Sequence, residues 1–200
     1  MKETLQRWWR TLFGPRMFYG WRRGDGQWLA HTRISSAARI ESPALLDIGD
    51  HVYIGPFNFL DASAGLEIAE GCQISTHCVV LSHSSHQALR LAGRSYWGEA
   101  EPPGYVRAPT RIGAYSFIGP HSVIAPGSRI GRGVLVRAYS YVSGEVPDFA
   151  VVAGQPARIL GDTREADEAW FALHPGQRAD YDEWVQRSAP AVPPPAPPGR

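Results

Sequence analysis

The sequence predicts an all-β fold, a parallel β-helix of hexapeptide repeats with one long loop and helical extensions at its N- and C-terminal ends. An aliphatic residue recurs at Ile34, Ile40, Ile48, Ile54, Leu60, Ile68, Ile74, Val80, Ile112, Ile118, Ile124, Ile130, Val136 and Val142, and ten of the thirteen intervals are six residues long. A helix repeats near 3.6 residues and a flat strand at 2, so a period of six is neither as a continuous element. It fits short strands joined by corners. A small residue often follows the aliphatic one, as at Gly49, Gly55, Ala69, Ser75, Gly113, Gly119, Ala125 and Gly131. Small residues let stacked turns approach closely. The 21 glycines and 17 prolines also point to many turns rather than to a helical bundle.

The elements follow in order. Residues 1–32 form an aromatic and basic extension in which Leu5, Trp8, Trp9 and Leu12 fit one face of a short helix. Gly14 and Pro15 stop that helix early, which favours packing on the main domain or on a neighbouring subunit. A membrane-surface contact through residues 5–23 is the alternative. Residues 33–160 are the β-helix, with a loop at 82–110. Residues 161–188 form a helical cap broken at His174-Pro175-Gly176, and residues 189–200 a disordered Pro-rich tail.

The irregular intervals locate the functional edge. Three strands make one coil, so the two steps of eight after Ile40 and Leu60 and the step of 32 after Val80 leave one column of corners. The long excursion should therefore overhang Asp61 to Gly65, with Ala125 to Ser128 above it. An enlarged step from Val142 to about Val151 is expected in the same column. Irregular loops on a regular scaffold are where function concentrates.

Charge and cysteine usage narrow the classes. Twenty Lys and Arg against nineteen Asp and Glu leave a formal charge of +1, which argues against a nucleic-acid platform. No apolar run is long enough to cross a membrane as a helix. The first residues lack an apolar signal core, and two cysteines cannot form a disulfide scaffold, so a cytoplasmic protein is expected. Cys72 and Cys78 occupy equivalent repeat positions and read as buried thiols.

The chemistry-bearing residues sit at the irregular corner. His77, His83 and His86 cluster where the excursion begins, in STHCVVLSHSSHQALR, and a histidine is the natural general base for an alcohol near neutral pH. His77, inside a regular hexapeptide, reads as an ordinary surface residue. Three histidines also suit zinc, but no H-x4-H pair occurs, and no metal is expected. Asn58, the only asparagine, lies near the bulged corner one coil below with Asp61 and Ser63. These three could position a polyol acceptor or could simply stabilise a turn.

The hexapeptide run, the long loop after a histidine cluster, the restart RIGAYSFIGPHSVIAPGSRIGRGVLVRAYSYV and the close VVAGQPARILGDTR resemble the hexapeptide-repeat acyltransferases. Within them the resemblance is to the sugar O-acetyltransferases, such as the galactoside, maltose and polysaccharide-unit enzymes, and it covers about Ile34 to Arg164. It implies a left-handed β-helix, a homotrimer, and acetyl-CoA as co-substrate in the cleft between neighbouring coils. It also implies a loop histidine that deprotonates a sugar or glycoside hydroxyl for attack on the thioester. Counting forward from Ile74 favours His86 for that role; counting back from Ala88-Leu89-Arg90 fits His83, its rival or orienting partner. CoA contacts map onto Ala138, Ser143, Arg158 and Arg164. The resemblance thus implies an acetyl-CoA-dependent sugar O-acetyltransferase. An N-acyltransferase of an amino sugar, amino acid or antibiotic is the runner-up, and a non-catalytic or carbonic-anhydrase-like β-helix the third reading.

Overall fold

The structure, a computed structural model, describes residues 14–186. The predicted helix around Leu5 to Leu12 and the tail from 189 lie outside the described residues. Within residues 14–163 the chain visits three parallel sheets in rotation. The first sheet carries Tyr53–Ile54, Gln73–Ile74, Phe117–Ile118, Leu135–Val136 and Ala150–Gly154. The second carries Arg39–Glu41, Phe59–Asp61, Val79–Val80, Val123–Ile124 and Tyr141–Val142, and the third Leu46–Ile48, Leu66–Ile68, Thr110–Ile112, Arg129–Ile130 and Glu145–Val146.

The register is the one the repeat dictates. Ile40 pairs with Leu60, Leu60 with Val80, Val80 with Ile124 and Ile124 with Val142, so the corners after residues 40, 60 and 80 share one edge. Every aliphatic of these columns that points inward meets its counterpart on the next coil. Ile54, Ile74, Ile118 and Val136 are fully buried, as are Ile48, Ile68, Leu60, Val80 and Ile124. The small residues after them are required by coil spacing. A Cβ on Gly55 would meet the Ser75 carbonyl oxygen at 1.8 Å, and one on Gly119 would meet the Ala138 nitrogen at 2.6 Å.

The end of the repeat differs from the expectation. Instead of an enlarged step after Val142, the chain makes a shortened corner: Glu145–Val146 pairs with Arg129–Ile130 in the third sheet, and Val152 then pairs with Val136. Gly144, at φ 81°, turns that corner with two residues fewer than a regular hexapeptide uses.

Antiparallel hairpins border the first sheet on both sides. Met17–Arg22 pairs with Trp28–Ser35, and Ala150–Gly154 with Ala157–Asp162 around a cis Gln155–Pro156 bond. The boundary expected at residue 32 therefore falls inside a strand that enters the sheet. The second compact unit begins at Arg164 and contains most of the helix Thr163–Leu173, a single 3-10 turn at Pro175–Gln177 and the helix Ala179–Gln186. Among the described residues no helix is long and apolar enough to cross a membrane.

Candidate active site

The site forms where the chain departs from the prism. Thr110 closes the excursion on the third sheet, paired with Leu66, and its hydroxyl donates to the Leu81 carbonyl at 2.6 Å. The excursion leaves and returns as a two-stranded stem, with His83 opposite Arg107 and Ser84 opposite Val106. Beyond the stem lie a short helix, Ala88–Ala92, and a 3-10 segment, Gly93–Gly98. Above it, the Gly127 N–H donates to the Ala108 carbonyl at 3.2 Å. The loop thus overhangs the edge the sequence assigned to it.

Asp61 is the anchor of the site, although it is fully buried. One carboxylate oxygen accepts the Ser63 N–H at 2.9 Å. The other accepts the Ser82 N–H at 2.9 Å and the Ser82 hydroxyl at 2.7 Å. Burial alone would raise this carboxyl's pKa. The donors from the Ser63 backbone, the Ser82 and Ser63 hydroxyls and the Ser82 backbone outweigh burial and hold it well below the usual carboxylate range. Asp61 is therefore ionised at neutral pH.

His83 meets this buried anion. Its Nδ1 lies 2.7 Å from Asp61 Oδ2 and 3.0 Å from Ser63 Oγ. An ionised carboxylate at that distance holds a proton on Nδ1 and fixes the orientation of the ring. The ring is held on its face as well: Tyr105 stacks on it, with centroids 5.7 Å apart and planes 9° from parallel. The side chain is about one-third exposed. His86 is exposed and sits 2.8 Å from Ser84 Oγ through its own Nδ1. Of the two candidate histidines, His83 alone is shown against a carboxylate.

Other expected site residues sort differently. Asn58 is buried, and its amide donates to the carbonyls of Gly55, Ser75 and Ile74 while its Oδ1 accepts the Cys78 N–H at 2.7 Å. It staples two coils, and its polar atoms are taken up by backbone. Asp61 and Ser63 both reach His83, and Asp61 has no exposed surface. Ser143 is exposed on the same edge as the loop, immediately before Gly144, whose carbonyl accepts the Arg129 N–H. Ala138 is exposed on the neighbouring edge, at the other end of Tyr141–Val142. Arg158 is exposed on the closing hairpin, and Arg164 is exposed in the second unit.

His77 lies away from the loop in an exposed ladder of rings, Phe57–His77–His121–Tyr139, with centroids 5.0, 4.9 and 4.8 Å apart. All four rings sit on residues with left-handed backbone. Among the described residues no group of three metal-ligating side chains converges.

Ser82, Tyr105 and Arg107 were not anticipated. A signal for Ser82 exists: a 20-residue coil sets Ser82 and His83 above Ala62 and Ser63, next to the only buried acid of that corner. Tyr105 and Arg107 carry no such signal, because the length of the return strand follows no repeat.

Residues 109–144 match the family model described as bacterial transferase hexapeptide (six repeats). A probable acetyltransferase of Mycobacterium tuberculosis is 24% identical over 136 residues, covering 68% of this chain and 42% of its own. The bifunctional protein GlmU of Alkalilimnicola ehrlichii is 25% identical over 173 residues, 78% of this chain and 35% of its own. The chain thus spans less than half the length of these curated relatives. Among solved structures, a hexapeptide-repeat-containing acetyltransferase of Vibrio cholerae is 25% identical with a TM-score of 0.56, covering 65% of this chain and 69% of that one. A galactoside acetyltransferase in complex with coenzyme A is 23% identical with a TM-score of 0.53, over 66% and 62% of the two chains. AntD of Bacillus cereus, an N-acyltransferase solved with dTDP and coenzyme A, is 22% identical with a TM-score of 0.55, over 73% and 89%. This chain therefore has the repeat and the fold of the hexapeptide-repeat transferases.

Proposed function

We propose that the protein is an acetyl-CoA-dependent acyltransferase that moves an acetyl group to a sugar hydroxyl, with His83 as general base. The observation that carries this reading is the His83–Asp61 contact: a buried, ionised carboxylate holds one nitrogen of a partly exposed imidazole. His83 Nε2 takes the proton of the acceptor hydroxyl as its oxygen attacks the thioester carbonyl. The tetrahedral oxyanion collapses, the C–S bond breaks, and the departing CoA thiolate takes the proton back from the imidazolium. Asp61 stabilises that imidazolium without itself being protonated.

The same reading includes the left-handed winding and the homotrimer that the resemblance implies, with CoA near Ser143 and Arg158. The outer surfaces support self-association. The first sheet exposes Phe117 and the second Tyr141, with Phe57 and Tyr139 on the edge between them, whereas the third sheet turns Asp47, Glu67, Arg111, Arg129 and Glu145 outward. Large exposed aromatic faces are costly in water and mark contact surfaces.

The deciding experiment is acetyl transfer from acetyl-CoA to a panel of glycosides by wild type and H83A, with CoA binding measured on both. Loss of transfer with CoA binding retained is expected. Undiminished transfer by H83A would sink the assignment.

A further inference from the structure

Beyond the stem, the loop borders a half-open cavity of about 660 Å³ lined by Tyr96, Trp97, Glu99, Glu101, Tyr105 and Arg107. Tyr105 belongs to both this cavity and the catalytic edge, since its ring stacks on His83. Arg107 joins them a second time, because its guanidinium donates to the Ser63 carbonyl at 2.8 Å. The volume suits one small organic ligand.

The lining has a distinct chemistry. Trp97 is 87% exposed, held edge-on against Tyr96 with centroids 5.1 Å apart and planes at 81°. A large indole face left in water is unfavourable unless a ligand covers it. Glu99 and Glu101 supply carboxylate oxygens, which accept hydrogen bonds. Glu99 is oriented through Oε1, 2.9 Å from the Ser95 hydroxyl, which leaves Oε2 for a ligand. A pyranose presents an apolar C–H face to an indole and a rim of hydroxyl donors to carboxylates. Two carboxylates face one guanidinium, and that guanidinium already serves the Ser63 carbonyl, so an anionic ligand is repelled.

We propose that this cavity is the acceptor subsite and that it takes an uncharged pyranoside stacked on Trp97, with Glu99 and Glu101 excluding uronic acids and sugar phosphates. The inference rests on the reading of the protein as a sugar acyltransferase, and it narrows the acceptor to one charge class.

The test uses the full chain saturated with CoA and three probes: methyl β-galactopyranoside, methyl α-glucopyranoside and methyl glucuronide. Binding is read by saturation-transfer NMR and calorimetry, independently of turnover. At least one neutral glycoside is expected to bind, with the glucuronide about tenfold weaker or worse. W97A should weaken the neutral glycoside about tenfold and W97F much less, with CoA affinity unchanged as the control for folding. The double variant E99Q/E101Q should bring the glucuronide close to the neutral glycosides. The proposal is overturned by W97A binding as wild type, by the glucuronide binding as tightly as the neutral glycosides, or by none of the three binding. Glycosides that bind through Trp97 but are never acetylated would refute the enzymatic reading and leave the subsite standing. Acetylation that ignores Trp97 would do the reverse.

Discussion

At the scale of single residues, the proposed chemistry depends on the contrast between a buried acid and a partly exposed base. Asp61 is bound by four donors and cannot reach solvent, so its one variable partner is the His83 imidazole. H83A should lower kcat/KM for acetyl transfer by about 10²- to 10⁴-fold, the range of a lost general base, while H86A stays within about threefold. D61N should cost about 10²-fold or more, because an amide neither fixes the imidazole tautomer as firmly nor stabilises its charged form. The same carboxylate makes folding acid-sensitive. Its folded pKa lies below the unfolded carboxylate value of about 3.9, so its stabilisation is fully present above that pH and is lost as pH falls through the folded value. Denaturant midpoints of wild type and D61N should therefore converge as pH is lowered below about 4.

At the scale of elements, each strand is two or three residues long and gains stability only by stacking on its neighbours. Ile74 lies fully buried between Ile54 and Ile118, with which it pairs through adjacent strands. I74A should destabilise by about 2–5 kcal/mol, read as a shift in the urea midpoint. G119V should be at least as damaging despite adding apolar surface, since its branched side chain would have to enter space occupied by the Ala138 backbone. The corners were partly legible. The column after residues 40, 60 and 80 followed from interval arithmetic, because register in a coil is fixed by residue count. The corner after Val142 did not, because Gly144 shortens it and breaks the count on which the reading depended.

At the scale of the whole molecule, the interior is sealed and the exterior is divided between apolar and charged faces. Cys72 and Cys78 are buried and unpaired by disulfide; burial pushes the Cys72 thiol up to about 12 and raises Cys78 as well. Native protein should therefore react with neither iodoacetamide nor an aromatic disulfide on a timescale of minutes, and should expose two thiols on unfolding. Sedimentation of the native chain should give three times the monomer mass, and a charge introduced at Phe117 and Tyr141 together should shift it toward monomer. A monomeric wild type would remove the trimer from the proposed function.

What the amino-acid sequence determined by itself was the coil. A period of six with a small residue after each aliphatic leaves the backbone one economical way to bury its apolar positions, and adding residues at one corner sends them out over one edge. It also placed His83 and His86 at that edge, because their position in the count is fixed. The tertiary structure decided which histidine meets a carboxylate, that Asn58 is consumed in stapling coils, and that Tyr105, Trp97 and the glutamates wall a cavity. Those outcomes depend on how an irregular loop of about thirty residues folds back on itself. No repeat constrains that path, so only the packing of its side chains against the prism could set it.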